Sequence, residues 1–217
     1  MKTHFSMFRH TRLLTAFLAT CLNLTTSAQT AKQVLDNTVA LFNNNGIEAA
    51  FIATSYEGTT PAGEASGTMY MKGNKFKMAS TEMTTWFDGQ TQWSLLEGSD
   101  EVNVTEPSAE EQAAVNPAVL LSAYKQGYNM RMRRSTLRGK PTFVVTLTAK
   151  SQRDDMFSMV LLDIEQGTYT PYCIRAKQGD NWLRLVIRSF RTGLSLADDS
   201  FVFPSQDYPD VDVIDLR

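Results

Sequence analysis

The feature that most constrains the fold is the alternation of apolar and polar residues across positions 67–95. Successive side chains of a β-strand point to opposite faces of the sheet, so Met69 and Met71 share one face. The same alternation pairs Phe76 with Met78, and Trp93 with Leu95 beyond the Asp88-Gly89 turn. The pattern predicts consecutive strands with a large apolar face. That face is either an ordinary packed core or the wall of a lipid-sized cavity.

The first 28 residues resemble a secretory signal peptide. Basic residues precede an apolar run that is too short to span a bilayer, and small residues precede a cleavage point before Gln29. We therefore predict an exported, soluble chain whose single domain covers residues 29–217. Cys21 leaves a second possibility open, because the residues before it loosely resemble a bacterial lipobox and lipidation would tether the chain.

The lack of histidine and the scarcity of cysteine in the mature chain argue against several kinds of catalysis. Both histidines, His4 and His10, lie in the leader, which excludes Ser-His-Asp and Cys-His nucleophiles and histidine metal sites. The one remaining cysteine, Cys173, lies in a β-like run and is predicted to be a buried thiol. The acidic clusters fall in predicted turns and in the C-terminal tail. We therefore expect no enzyme, no metal and no cofactor.

Charge argues against nucleic acid as a partner. Three of the 21 basic residues lie in the leader and all 23 acidic residues follow it, so the mature chain is net acidic. One basic run, Arg131, Arg133 and Arg134, stands out. It predicts an exposed strand face or, alternatively, a patch for an anionic headgroup or an acidic partner.

Hydrophobic periodicity predicts two helical elements within a long β series. A capping box of Thr30 with Gln33 begins a helix that Asn43–Gly46 ends, and Asn116-Pro117 begins a second helix that ends at Gly127. The remaining segments alternate and are separated by short turns. We predict a mainly antiparallel β fold with a few helices, an open, incomplete β-barrel of about ten strands covered by a helical lid.

The methionines favour a hollow interior. Eight of the 10 methionines follow the leader, and all lie in or beside predicted strands, where β-branched residues are usual. Methionine is flexible and common on adaptable binding surfaces. The predicted cavity residues share the apolar side of their strands: Ile47, Phe51, Met69, Met71, Phe76, Met78, Trp93 and Leu95. The predicted lid residues lie on the two helices: Leu35, Phe42, Val119, Leu120, Leu121 and Tyr124.

Four segments resemble those of the LolA-like periplasmic carriers of outer-membrane lipoproteins. Gly67–Lys72 is similar to the Gly-x-Leu-Trp-Val-Lys run of that family, and Asp88–Trp93 to its Asp-Gly-Lys-Thr-x-Trp turn. Asn116–Leu121 resembles the start of its internal helix. Ser200–Pro204 followed by Val211–Ile214 resembles its C-terminal end. The four segments occur in the order of the family.

The resemblance implies an open β-barrel, a helical lid and an apolar cavity for the acyl chains of lipoproteins, without catalysis. One departure concerns the lid. Family members often carry an arginine just after the strand lysine that latches the lid, whereas Lys72 is followed here by Gly73-Asn74. How the lid would switch without that arginine is left open.

Two functional hypotheses follow. The first is a monomeric periplasmic chaperone that carries acylated lipoproteins to the outer membrane, with an inner-membrane release complex and an outer-membrane acceptor as further partners. The second is a sensor or regulatory module on the same fold that binds lipid or a protein and transports nothing.

Overall fold

The computed structural model describes residues 29–44, 46–108, 111–112, 123–125, 127–151 and 157–217. Within them, helix α1 (Ala31–Asn44) precedes a 12-stranded sheet. The strands are β1 (Gly46–Glu57), β2 (Thr60–Lys72), β3 (Lys75–Ser80), β4 (Met83–Phe87), β5 (Gln92–Leu96), β6 (Glu101–Thr105), β7 (Tyr128–Leu137), β8 (Lys140–Ala149), β9 (Met159–Glu165), β10 (Pro171–Gln178), β11 (Asn181–Leu194) and β12 (Asp212–Asp215). Single 3₁₀ turns occupy Ala123–Lys125, Asp198–Phe201 and Ser205–Asp207.

The strand order is β12-β6-β5-β4-β3-β2-β1-β11-β10-β9-β8-β7. All neighbours are antiparallel except β12, which runs parallel to β6. Among the described residues the terminal strands β12 and β7 do not pair with each other, so the sheet is open. The described residues therefore form a mainly antiparallel β fold with an open sheet, as the sequence predicts.

The sheet has two strands more than the expected number. The alternation of apolar and polar residues does not predict β4, because Thr85, Trp86 and Phe87 are all buried and both faces of the strand are covered. A strand buried on both faces has no polar side to reveal its period. β12 lies in the acidic tail, which sequence reasoning assigned to solvent. The tail instead adds an edge strand whose Asp212 and Asp215 remain exposed.

Helix α1 begins as its sequence predicts. The Thr30 amide donates to Gln33 Oε1 at 2.9 Å, and the Gln33 amide donates to Thr30 Oγ1 at 3.2 Å. This is the capping box, and it satisfies amides that have no partner within the helix. None of the helices in the described part of the chain is long and apolar enough to cross a membrane.

The position of α1 shows that the sheet curls. The backbone of α1 lies close to both β2 and β7, which five strands separate in the strand order. In a flat sheet with strands about 4.8 Å apart, β2 and β7 would lie about 29 Å apart, farther than the roughly 21 Å length of a 14-residue helix. The sheet therefore wraps around, and α1 lies across the opening between its β2 and β7 sides. The face towards α1 is called the inner face below, and the opposite face the outer face.

The C-terminal segment, which runs from Asp198 to Val211, covers part of the outer face. Trp86 of β4, Leu95 of β5 and Val102 of β6 form a buried cluster with Phe203, and Tyr208 and Val211 pack against it. The rings of Trp86 and Phe203 meet edge to face, with centroids 5.3 Å apart. Asp198 ties the start of this segment to the β2–β3 hairpin through Lys72 (2.9 Å) and Lys75 (3.0 Å). These two lysines lower the pKa of Asp198 to about 2.

We expect Phe203→Ala to lower the free energy of unfolding by about 3–5 kcal/mol, because Phe203 is only 7% exposed and its loss leaves a cavity over Trp86. Urea denaturation measures the change. Val202→Ala is the matched control, since Val202 is 38% exposed and should change stability by only about 0.5 kcal/mol. Equal effects of the two variants would contradict this packing.

Candidate functional site

The inner face of the sheet and α1 form one buried apolar cluster. α1 contributes Val34, Leu35, Val39 and Phe42. The sheet contributes residues from β1 to β4 and from β7 to β11, so nine strands point apolar side chains towards a single helix. Strand pairing aligns these side chains in rows, because directly opposite residues share a face.

Six of the eight predicted cavity residues lie in or against this cluster. Ile47 pairs with Met71, and Met71 with Phe76. Met69 pairs with Met78, and Phe51 lies four residues beyond Ile47 on the same side of β1. Five of the six are buried, Met71 to 1% exposure, and Met78 is partly buried against them. The structure thus brings these six side chains together beneath α1.

The prediction is wrong for Trp93 and Leu95, which lie on the outer face. Phe76 pairs with Phe87 and Phe87 with Gln92, so Gln92 is the β5 residue that shares the inner face. Trp93 is paired with Trp86, in the cluster that the C-terminal segment covers. Alternation tells which residues of β5 share a face but not which face meets the helix.

Two of the predicted lid residues, Leu35 and Phe42, are buried in the inner cluster. The ring of Phe42 meets that of Phe190 on β11, with centroids 5.7 Å apart. Val119, Leu120 and Leu121 lie outside the described residues. Tyr124 belongs to the 3₁₀ turn Ala123–Lys125 and is buried against the same cluster.

A few polar contacts fix α1 in place. The Tyr124 hydroxyl donates to Asp36, which also accepts from Lys32 Nζ at 2.7 Å. The pKa of Asp36 lies below its usual range, chiefly because Lys32 donates a hydrogen bond to its carboxylate and secondly because Tyr124 does so. Burial, together with the Asp36 carboxylate, raises the pKa of Tyr124. The neutral phenol and the ionised carboxylate are therefore the stable pair at neutral pH.

A second tether joins α1 to the turn between β9 and β10. Thr38 is fully buried, and its hydroxyl lies 3.1 Å from the carbonyl oxygen of Tyr169 and 3.0 Å from that of Val34. Tyr169 has φ of 59°, a left-handed conformation that is uncommon for a tyrosine. The side chain of Gln29 also bonds the Tyr169 hydroxyl. Sequence reasoning missed Tyr169, because no local pattern signals a turn that contacts a distant helix.

A cavity of about 280 Å³ opens at the ends of β1, β2, β10 and β11. Its apolar lining includes Phe157, Ala176 and Leu183, and Phe157 and Ala176 also contact or belong to the inner cluster. No residue of α1 lines it. Its volume is close to the lower limit of the roughly 300–1,000 Å³ typical of small-molecule sites. The cavity therefore adjoins the inner cluster, and its remaining lining includes the polar residues Ser55, Glu57 and Asn181.

The described residues offer little for catalysis. Cys173 is free and buried, and burial raises the pKa of its thiol, which opposes formation of a reactive thiolate. No three histidine, cysteine, aspartate or glutamate side chains of the described part are placed to hold a metal ion. A second cavity, of about 700 Å³, lies beside the ends of β5 and β6 and is lined mostly by polar residues such as Gln92, Glu106 and Arg217.

The sequence model of the family described as outer membrane lipoprotein carrier protein LolA matches residues 22–180. No protein of curated function matches the sequence significantly. Among solved structures, a LolA superfamily protein from Nitrosomonas europaea is 13% identical with a TM-score of 0.44, over 81% of this chain and 99% of that chain.

Two further solved structures have a similar degree of likeness. The lipoprotein LppX of Mycobacterium tuberculosis is 17% identical with a TM-score of 0.47, over 76% of this chain and 95% of that chain. The MucA/MucB complex of Pseudomonas aeruginosa contains a chain that is 12% identical with a TM-score of 0.44, over 81% of this chain and 62% of that chain.

We expect Tyr124→Phe to destabilise the protein by roughly 1–2 kcal/mol at neutral pH, somewhat below the usual value for a hydrogen bond to a charged group because water reaches Asp36. A carboxylate whose pKa is lowered by folding stabilises the fold above its unfolded pKa, and this contribution is lost as pH falls through the folded pKa. The cost of the substitution should therefore shrink as the solution is acidified from about pH 4.

The matched control for this experiment is Tyr128→Phe. The Tyr128 hydroxyl donates to the carbonyl oxygen of Phe157 at 2.8 Å. Neither partner of this hydrogen bond is charged, so its loss should cost the same at neutral and at acidic pH. Denaturant titrations across the acidic range compare the two variants. Parallel pH profiles would contradict the pairing of Tyr124 with an ionised Asp36.

Proposed function

Because this chain belongs to the family of the outer membrane lipoprotein carrier protein LolA, we propose that it is a periplasmic chaperone for lipoproteins. It binds the acyl chains of its cargo between α1 and the inner face of the sheet and carries them to the outer membrane. Residues 1–28 direct export and are removed by cleavage before Gln29, and the carrier acts as a monomer without a cofactor or catalysis.

The observation that carries this proposal is the apolar inner face of nine strands, against which the 14-residue helix α1 packs. The helix is about 21 Å long, and its apolar stripe is the part of the wall that can be displaced. Met69, Met71 and Met78 lie side by side beneath it. Unbranched, polarisable side chains adapt to acyl chains of different length without requiring one shape.

The physical need for such a carrier is large. Burying one CH₂ group is worth about 0.8 kcal/mol, so an acyl chain of about 16 carbons costs on the order of 13 kcal/mol in water. An apolar interior removes this cost during transit. Because the bilayer is apolar as well, the carrier can release its cargo without a large difference in free energy.

The open cavity beside Phe157 and Leu183 supports the same proposal. It adjoins the inner cluster past the helix through Phe157 and Ala176, so a long chain has space at the far end. The tethers of α1 support a helix that swings while remaining attached. They are few hydrogen bonds, those to Tyr169 and Tyr124, and each contributes only about 1 kcal/mol.

We predict that Met78→Glu lowers the affinity for a fluorescent fatty acid at least about tenfold, because a carboxylate beside the acyl chain must be desolvated. Its partly buried position should let the fold tolerate the charge. Ala79→Glu is the matched control. It introduces the same charge one residue along β3, at the same intermediate burial but on the outer face, and should leave the affinity within about twofold of wild type.

Fluorescence titration and thermal melts of both variants complete this test. If the two variants bind the fatty acid equally while both stay folded, the acyl site does not lie on the inner face. Unfolding of Met78→Glu alone would show that the inner face is a close-packed core.

We expect the protein isolated from its own periplasm to carry a triacylated lipoprotein. We also expect the isolated protein itself to begin at Gln29. Native mass spectrometry detects the cargo, and N-terminal sequencing detects the cleavage. A stable protein partner without lipid would identify a sensor instead of a carrier. A diacylglyceryl group on Cys21 would make the protein a membrane-tethered acceptor.

A further inference from the structure

Methionines and arginines alternate along residues 130–133 of β7, so the two residue types lie on opposite faces of the sheet. Met130 and Met132 pair with Leu147 and Val145 of the inner face. Arg131 and Arg133 alternate with them, so they lie on the outer face, where both are exposed. The lipid site proposed above does not use these two arginines.

The strand register extends this basic surface across the sheet. Arg131 belongs to a row that continues through Thr146 and Leu161 to Arg175 and Arg184. A neighbouring row joins Met159, Lys177 and Trp182. The outer basic face is defined here as five residues: Arg131, Arg133, Arg175, Lys177 and Arg184. It extends from β7 to β11, about 19 Å along a sheet with strands about 4.8 Å apart.

Few acidic groups neutralise this face. Asp163 pairs with Arg175 at 2.9 Å, and Glu165 is held by Lys140 at 2.8 Å, just beyond the face. No ion pair joins any other cation of the face to an acidic residue within the described ranges. Arg175 lies directly opposite Arg184, although like charges opposite each other destabilise a sheet. The sequence thus concentrates cations here while the mature chain is net acidic.

Apolar groups lie between the cations. Leu161, Met159 and Trp182 are partly buried on this face, and Val144 is 2% exposed in the row between Arg133 and Asp163. Long cationic side chains cover such apolar groups with their stems while their charged heads stay in water. Cations mixed with apolar side chains suit the headgroup region of a bilayer, where both kinds of contact add to binding.

We propose that the outer basic face binds the surface of a bilayer rich in anionic phospholipid. This inference rests on the proposed function, since a carrier of acylated cargo must collect and deliver at membranes. Attraction of the outer face to the bilayer leaves α1, on the other side of the sheet, free to move. An acidic protein is the competing partner, and the interleaved apolar side chains favour the bilayer.

The experiment measures co-sedimentation of the full mature protein with vesicles. One set contains equal parts of phosphatidylglycerol and phosphatidylcholine, and the other contains phosphatidylcholine alone. We expect binding to the first set only, and its loss near 1 M salt, where the Debye length falls to about 3 Å. The double variant Arg131→Gln with Arg133→Gln should bind about 20- to 30-fold more weakly, since each cation near an anionic surface contributes about fivefold.

The charge-matched control is Arg138→Gln with Arg217→Gln, which removes two exposed cations from the turn between β7 and β8 and from the C-terminal end of the chain. It should bind the anionic vesicles within about twofold of wild type. If both double variants lose the same affinity for anionic vesicles, binding depends on net charge alone and the proposal is wrong. So would equal binding to both vesicle sets, or no binding by the wild type.

Two further measurements separate the competing explanations. Soluble polyglutamate at the same ionic strength should compete poorly with the vesicles, and strong competition would assign the face to an acidic protein instead. Fatty-acid binding in solution is measured on the same variants and should be unchanged. A wild type that binds anionic vesicles but no fatty acid would refute the proposed carrier function while leaving the membrane-binding face supported.

Discussion

The structure depends on how the apolar inner face of the sheet is covered. Nine strands direct apolar side chains to that face, whereas α1 has only 14 residues. A flat sheet of that width would leave most of these side chains in water, and their burial is the largest favourable contribution to folding. The sheet therefore curls until its β2 and β7 sides both meet the helix. The hydrophobic effect thus sets the curvature, and α1 completes the interior.

The two faces of the sheet are covered by different means. The inner face meets a helix held largely by apolar contacts and a few hydrogen bonds. Part of the outer face is covered by the C-terminal segment, where Phe203 packs on Trp86 and Asp198 joins two lysines. Between β7 and β11 the outer face carries the long cationic side chains of the outer basic face. This difference puts α1 on the side with the methionines and the charged surface on the side away from it.

Part of the fold could be predicted from the sequence, because it depends on interactions between residues that are close in the chain. The capping box of Thr30 and Gln33 specifies the start of α1 through bonds three residues apart. Alternation placed Met71 and Phe76 correctly on one face. Each of these features is decided by residues near in sequence.

The sequence by itself determined the strand-rich composition, the periodicity and the helix start, since these follow from neighbouring residues. Only the tertiary structure decided which face of each strand is inside. Trp93 and Leu95 alternate as Met69 and Met71 do, yet Leu95 is buried and Trp93 partly buried on the outer face. Their cover is Phe203, which is remote in the chain, so no local pattern could assign them. A pattern of period two fixes which side chains share a face, and long-range packing fixes what each face meets.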